Sequence, residues 1–246
     1  MHQFFVDPTQ IRENIITITG KDVKQIKNVL RMRAGEEVAI SDGITAKEYR
    51  CVIETIDTDC VICQLIFIKE ADLELPSKVY LFQGLPKADK MELIIQKAVE
   101  LGVYEIIPVA SARAVVKLDE KKEQTKLARW QGIAEAAAKQ SKRRIIPVVS
   151  SVLTFEAAVA VASQMDVKII PYEMAGDMEK TKQLIGSIGV NQEIAVFIGP
   201  EGGFAENEIG DAMAAGIIPV TMGKRILRTE TAGMTMLGWI MYQLEG

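Results

Sequence analysis

The chain has 246 residues, a length that fits one large domain or two domains of unequal size, and two are taken as the starting hypothesis. Its 48% hydrophobic and 25% charged residues are typical of a globular protein with a sizeable core, which excludes the disordered and fibrous classes. The net charge of −4 argues against a protein that coats nucleic acid through a bulk positive field.

Short β segments dominate the chain up to about residue 70. They are predicted around residues 4–6, 15–18, 37–41, 49–56 and 61–68. A helix is predicted to start near Lys21, because apolar residues recur there with a 3.6-residue period. Asp42 and Gly43 lie between two β segments and predict a hairpin turn. The pattern indicates a small β-barrel with one helix over residues 1–72, followed by a linker.

From Lys78 onward the pattern changes to alternating strands and helices. The predicted strands cover residues 79–82, 106–109, 145–149, 167–170, 194–198 and 217–220. The predicted helices cover residues 89–101, 126–139, 155–162, 206–215 and 229–244. Continuous apolar runs are typical of parallel strands that helices cover on both faces. Residues 73–246 are therefore expected to form an α/β domain with a parallel sheet.

Basic residues cluster at three places in this acidic chain, within residues 21–33, 139–144 and 224–228. One such cluster is usually a solvated helix face, whereas three raise the expectation of a localised RNA-binding surface split between the two domains. The predicted phosphate contacts are Arg31, Arg33, Lys142, Arg143 and Arg144.

The sequence has few residues that could bind a metal, and it has no sign of a membrane span or a secretion signal. Cys60 and Cys63 lie three apart in a strand-like run and point to opposite faces; with Cys51 they are interpreted as small buried residues. The one histidine, His2, cannot supply a catalytic triad or a multi-histidine site, so we expect no metal. With no membrane-length apolar run and no secretion signal at the start, we expect a cytoplasmic protein.

Two unusual loops follow predicted strands near the end of the chain. Residues 199–203 (GPEGG) follow the strand that ends at Ile198, and residues 222–232 lead into the last helix. Ligands of open parallel sheets bind beyond the carboxyl ends of the strands, so the two loops together predict a binding site. Alternatively, the first loop is only a tight turn, and Thr229 or Thr231 only caps the helix. Neither loop has a dinucleotide or P-loop pattern, which disfavours a phosphate-rich cofactor.

The run IGPEGGF at 198–204, followed by MGKRILRTETA at 222–232, resembles the paired cofactor loops of the SPOUT methyltransferases. The chain is most similar to the bacterial 16S rRNA uridine N3-methyltransferases of that class. KNVLRMRAGE at 27–36, QKAVELGV at 96–103 and AAAKQSKRRIIP at 136–147 extend the resemblance over nearly the whole chain. The chain has Met222 where the family usually has leucine, and Ala205 where it often has a helix-capping serine or threonine.

The resemblance implies an N-terminal PUA-like RNA-binding barrel and a C-terminal SPOUT domain with a deep trefoil knot. It further implies a homodimer that binds S-adenosylmethionine in the knot, mostly through backbone groups, and that receives RNA across the dimer interface. The residues matching the cofactor loops are Ile198, Gly199, Pro200, Gly202, Gly203, Met222, Gly223, Ile226 and Leu227.

Methyl transfer to uridine N3 needs alignment with the activated methyl group and help with the N3 proton, but no metal. Arg228 is the candidate for stabilising the charge that develops on O2 or O4 of the uracil. Glu201 is the candidate for a general base or for orienting the edge of the base. Structural roles compete with both: Glu201 for loop amides, and Arg228 for pairing with Glu230 or a partner subunit.

Other functions remain open from the sequence. The same fold could methylate a ribose 2′-hydroxyl or another base, and a non-enzymatic dimeric RNA-binding protein is an alternative from a different class. The extra β domain disfavours a small-molecule methyltransferase. Naked 16S rRNA and the assembled small subunit are both possible substrates.

Apolar residues spread around the helix at 229–244 favour dimerisation through that helix.

Overall fold

A computed structural model describes residues 1–70, 73–114 and 120–246 of the chain. These form two compact units. Unit 1 consists of Met1–Glu74 together with Ala138–Ile146, and unit 2 consists of Leu75–Ala137 together with Pro147–Gly246. The expected boundary after residue 72 lies close to the division after Glu74. The expected second domain, residues 73–246, also included the segment 138–146, which here belongs to unit 1.

Unit 1 is built on one mixed sheet with the strand order β1-β4-β5-β6-β3-β2. Its elements are β1 (His2–Phe5), a 3₁₀ turn (Pro8–Gln10), β2 (Ile11–Arg12), β3 (Ile15–Thr19), α1 (Lys21–Lys24), a π-helical turn (Gln25–Leu30), β4 (Glu37–Ser41), β5 (Lys47–Ile56) and β6 (Cys60–Glu70). Strand β1 pairs with β4 in parallel, and the other neighbours are antiparallel. The predicted hairpin joins β4 and β5, where Asp42 accepts hydrogen bonds from the backbone N–H groups of Ile44 and Thr45 at 2.9 and 2.7 Å.

The core of unit 1 contains two of the three cysteines. Cys51 and Cys63 are buried, whereas Cys60 is half-buried, so Cys60 and Cys63 do lie on opposite faces of β6. Burial raises the pKa of Cys51 to about 12, and burial with the nearby Cys51 raises that of Cys63 to about 12. Both thiols are therefore neutral at physiological pH and pack as small apolar side chains.

The segment 138–146 completes unit 1 from a distant part of the chain. Ile145 forms a parallel bridge with Gly43, and the backbone N–H of Ile146 donates to the Gly43 carbonyl at 2.9 Å. The strand expected over 145–149 is therefore wrong at its start. Residues 145 and 146 pair within unit 1, and only Val148–Val149 pairs with the sheet of unit 2.

Unit 2 alternates strands and helices. Its elements are β7 (Lys78–Gly84), α2 (Lys90–Glu100), β8 (Glu105–Ala110), α3 (Glu120–Gln140, which ends in unit 1), β9 (Val148–Val149), β10 (Leu153–Thr154), α4 (Phe155–Ala162), β11 (Val167–Pro171), α5 (Met178–Gly186), β12 (Glu193–Ile198), α6 (Glu206–Ala214), β13 (Ile218–Val220) and α7 (Thr229–Glu245). Helix α5 was not predicted. Its first turn is capped by Asp177, which accepts from the Glu179 N–H at 3.0 Å.

The sheet of unit 2 is parallel, with the order β10-β8-β7-β12-β11-β13 and with β9 paired to β8. This confirms the predicted α/β class. Phe82 of β7 and Phe197 of β12 are register partners and stack at a centroid distance of 4.5 Å in the core. Because the strands are parallel, β7, β11, β12 and β13 end at the same edge of the sheet. The trefoil knot stays a prediction. No helix within the described residues is long and apolar enough to span a membrane.

Candidate cofactor and catalytic site

A cavity of about 750 Å³ lies at this edge of unit 2. It is lined by the loops 198–204 and 221–229, by the end of β11 at 171–173, and by Lys90 and Arg113. Every residue that matched the cofactor loops lines it, as do both predicted catalytic residues. These are Ile198, Gly199, Pro200, Gly202, Gly203, Met222, Gly223, Ile226 and Leu227, with Glu201 and Arg228.

The first loop, 199–203, packs tightly against the end of β7. A Cβ atom at Gly84 would lie 2.5 Å from Pro200 Cδ and 2.8 Å from Pro200 N, so a side chain at this position requires the loop to move. The loop closes with a hydrogen bond from the Gly203 N–H to the Pro200 carbonyl at 2.8 Å, and Gly203 has φ +65°, which favours glycine. Gly84 was not among the predicted site residues, although a glycine at the carboxyl end of a central strand was an available signal.

Thr229 connects the first loop to helix α7. Its buried hydroxyl donates to the Gly199 carbonyl at 2.6 Å and accepts from Gln83 Nε2 at 2.9 Å. The alternative interpretation, in which Thr229 or Thr231 only caps the helix, does not hold, because the N-cap residue is Arg228 and it makes no side-chain capping bond. Thr229 instead fixes the positions of both loops relative to β7.

Glu201 is held by two groups that precede or begin α2. Lys90 Nζ lies 2.8 Å from Glu201 and 3.6 Å from Glu230, and the Lys87 N–H donates to Glu201 at 3.2 Å. Burial alone would raise the pKa of Glu201, but the hydrogen bonds from Lys90 and from backbone amides outweigh it and lower the pKa. The carboxylate of Glu201 is therefore already hydrogen-bonded and has a lowered pKa, which makes it a weak proton acceptor at neutral pH.

Arg228 lies exposed at the cavity. Its side chain makes no hydrogen bond or ion pair with any residue that the structure describes, and Glu230 is paired with Lys90 instead. The guanidinium is therefore available to a ligand. Ile226, which also lines the cavity, is 90% exposed.

Further contacts lie at the first loop and at the start of α6, which follows it. Arg113 Nη1 donates to the Gly202 carbonyl at 3.0 Å, an interaction that the sequence did not reveal. Ala205, which departs from the family pattern, caps α6 without a side-chain bond. Glu208 compensates, because its carboxylate accepts from the backbone N–H groups of Ala205 and Ala112, each at 2.8 Å.

The predicted RNA contacts fall into an exposed group and a buried group. Arg31, Arg33 and Lys142 are exposed. Arg143 and Arg144 are buried at 4% and 7% exposure. Arg143 Nε donates to Glu74 at 3.0 Å, and Arg144 forms an ion pair with Glu48. These two guanidinium groups lie inside unit 1, so the structure does not support them as phosphate contacts.

The expected division of this basic surface between two domains is also corrected. Lys142 belongs to the segment 138–146 and therefore to unit 1, as do Arg31 and Arg33. The reason is that the segment is anchored to the barrel by ion pairs, including Lys139 with Asp22 at 2.9 Å. Within the described ranges, no group of three or more histidine, cysteine or acidic side chains is placed to hold a metal ion.

Family comparisons agree with this architecture. The model of an RNA methyltransferase domain matches residues 73–241, and that of an RNA methyltransferase PUA domain matches residues 18–66. Ribosomal RNA small subunit methyltransferase E of Bacillus subtilis (strain 168) is 38% identical over 253 residues, which cover 100% of this chain and 98% of that protein. The chain therefore belongs to the RNA methyltransferase family that includes the proteins named ribosomal RNA small subunit methyltransferase E, which confirms the resemblance.

Solved structures extend the comparison to the whole fold. Ribosomal RNA small subunit methyltransferase E from Neisseria gonorrhoeae, bound to S-adenosylmethionine, is 31% identical with a TM-score of 0.82 and covers 96% of this chain and 95% of its own. A putative methyltransferase from Legionella pneumophila, also bound to this cofactor, is 29% identical with a TM-score of 0.85, covering 98% and 96%.

Proposed function

We propose that this chain methylates N3 of a uridine in 16S ribosomal RNA, with S-adenosylmethionine as the methyl donor, in the cytoplasm. The observation that carries the proposal is the cavity, where both family-matching loops converge beside the guanidinium of Arg228, which none of the described residues engages. Relatives of the same fold that bind S-adenosylmethionine support the choice of cofactor.

The residues of the cavity fit this cofactor. A volume of about 750 Å³ lies within the range of small-molecule sites, and glycine-rich loops allow backbone groups to come close to a ligand. Once bound, S-adenosylmethionine supplies a methyl group already activated by its sulfonium. Residues 198–203 and 222–227 would hold it and exclude water from its reactive end.

Arg228 has the chemistry that the uridine requires. N3 becomes nucleophilic when its proton passes to solvent water, and negative charge then develops on the two carbonyl oxygens of the ring. A planar guanidinium can donate to such an oxygen in a fixed direction. Because no described residue engages Arg228, the side chain needs no partner exchange before it meets the substrate.

Glu201 is proposed to orient the site. Its lowered pKa and its bonds to Lys90 and the Lys87 amide make it a poor general base. The same bonds tie the first loop to α2, and Lys90 extends the connection to Glu230 at the start of α7. We therefore assign Glu201 to positioning, which was the second of its two predicted roles.

The RNA surface is proposed to use Arg31, Arg33 and Lys142 of unit 1, all of which are exposed. The match of residues 18–66 to an RNA methyltransferase PUA domain supports the assignment of Arg31 and Arg33. Lys224 and Arg225, exposed in the second loop, are placed to contribute near the cavity. Neutralisation of phosphates by such residues releases counterions, so the binding should depend on salt.

A homodimer is proposed from helix α7. Its buried apolar side chains, Met236, Leu237 and Ile240, belong to the core of unit 2. Met234, Trp239, Met241 and Leu244 are only half-buried, and Tyr242 is 79% exposed. A helix with apolar residues left on a second face is typical of an interface.

Calorimetry with S-adenosylmethionine tests the enzymatic class. The proposal predicts a saturable heat with one cofactor per chain, and competition by the demethylated product. A protein that binds RNA but shows no heat with the cofactor would instead be the non-enzymatic RNA-binding alternative.

A further inference from the structure

The second cofactor loop begins at the end of β13, at the point where the pairing of β13 with β11 stops. Strand β13 lies at the edge of the sheet and pairs with β11, in a register that ends with Pro171 beside Val220. The last ladder bond runs from the Tyr172 N–H to the Val220 carbonyl at 2.9 Å. Thr221, the next residue, therefore enters the cavity wall beyond the end of β11.

A side chain from helix α5 supplies the missing partner. The Thr181 hydroxyl donates to the Thr221 carbonyl at 3.0 Å and accepts from the Thr221 N–H at 3.2 Å. It thus satisfies both backbone groups of one residue, as a neighbouring strand would. Thr181 is 1% exposed, so water cannot easily replace these bonds.

Thr221 in turn sets the conformation at the start of the loop 222–228. Thr221 Oγ1 accepts from the Gly223 N–H at 3.3 Å, and Gly223 has φ +102°. The direction of the chain after β13 is therefore set at Thr221. Residues 222–228 then follow along the cavity to Arg228 at the start of α7.

We propose that Thr181 is a positioning residue for the cofactor site, whose buried hydroxyl extends the edge strand by one residue and fixes the start of loop 222–228. Thr181 does not line the cavity and acts only through Thr221. The inference rests on the proposed function, because it takes S-adenosylmethionine as the ligand of that loop.

Calorimetry with S-adenosylmethionine and thermal melting separate positioning from stability. Thr181→Val keeps the shape but removes both bonds, and should raise the Kd for the cofactor about tenfold, the worth of one to two net hydrogen bonds. Thr181→Ser keeps the hydroxyl and should bind nearly as the natural chain does. The matched control is Thr154→Val, which removes the capping bond to the Ala157 N–H at 3.2 Å on α4. It should lower Tm and leave the Kd unchanged.

Thr181→Ala provides a second variant without the hydroxyl if the valine does not fold. The proposal is overturned if either variant loses Tm as Thr154→Val does but binds the cofactor with unchanged Kd. It is also overturned if Thr181→Ser loses as much affinity as Thr181→Val. Failure of the natural chain to bind S-adenosylmethionine would instead contradict the proposed function, so the two failures are distinguishable.

Discussion

At the scale of single residues, the proposed chemistry depends on Arg228. Arg228→Ala should lower turnover by roughly 10² to 10³, as the loss of an oxyanion donor does in other enzymes, with little change in cofactor affinity. Arg228→Lys should recover little, because a point charge cannot reproduce the planar donor. Single-turnover methylation and calorimetry on the same samples give both quantities.

Arg225→Ala is the matched control for this substitution, since Arg225 is also exposed in the second loop. It should weaken RNA binding without a comparable loss of single-turnover rate at saturating RNA. An Arg228→Ala protein that folds, binds RNA and turns over at nearly the natural rate would show that another group stabilises the anion.

Gly84 tests the close contact between β7 and the first loop. Gly84→Ala forces Pro200 to move, at a cost of about 1–3 kcal/mol, part of which should appear as weaker cofactor binding. Gly132→Ala is the control, because it adds a Cβ to an exposed helical site with no atom within 4 Å and should stabilise the chain. Equal cofactor affinity in the two variants would refute the contact as a determinant of the site.

At the scale of elements, the basic residues of unit 1 fall into two groups. Arg31 and Arg33 are exposed, whereas Arg144 in the segment 138–146 is buried. Arg31→Gln with Arg33→Gln should weaken RNA binding and reduce its logarithmic salt slope by roughly 0.7 per lost contact to single-stranded RNA, with unchanged Tm. Arg144→Gln should instead destabilise unit 1 by about 1–3 kcal/mol, because it removes one of the two guanidinium partners of buried Glu48 and leaves only Arg50.

Binding isotherms at several salt concentrations, together with thermal melts, distinguish these outcomes. A salt slope that does not change in the Arg31 and Arg33 variant would remove those residues from the RNA surface. An Arg144→Gln protein with natural stability and a reduced slope would restore Arg144 as a phosphate contact.

The elements that were predicted are those with a clear period or composition. Strands such as Glu193–Ile198 are continuous apolar runs, and α4 has the predicted bounds Phe155–Ala162. Helix α5 was missed because buried Thr181 and Ile185 are its few inward residues, which leaves a weak apolar pattern. The pairing of Ile145 with Gly43 could not be foreseen, because long-range contacts leave no local periodicity.

The residues of the site likewise divide into those that a sequence pattern predicts and those that it does not. The two loops were found because their glycines and their order after strands are visible in the sequence. Gln83, Lys90 and Thr181 were missed because single polar residues carry no pattern, and their roles come from tertiary contacts at 2.8 to 3.2 Å. The burial of Arg143 and Arg144 was likewise hidden, since a run of basic residues has the same appearance whether it is solvated or ion-paired.

At the scale of the whole molecule, dimerisation through α7 is the main structural prediction. Light scattering at low micromolar concentration should give twice the chain mass of 27.1 kDa. Tyr242→Asp with Met241→Asp should reduce the mass to that of a monomer and abolish methylation, because the RNA is expected to reach the cofactor across the interface. A natural chain that is monomeric and fully active would contradict the dimeric site.

The activity proposed for the whole molecule is the methylation of uridine N3 in 16S ribosomal RNA. Mass spectrometry of nucleosides from purified 16S rRNA of cells with and without this chain tests it directly. We expect N3-methyluridine in the first sample, its absence in the second, and its return with the natural gene but not with Arg228→Ala. Unchanged N3-methyluridine in cells lacking the chain, or loss of a ribose 2′-O-methyl group or of another methylated base instead, would contradict it.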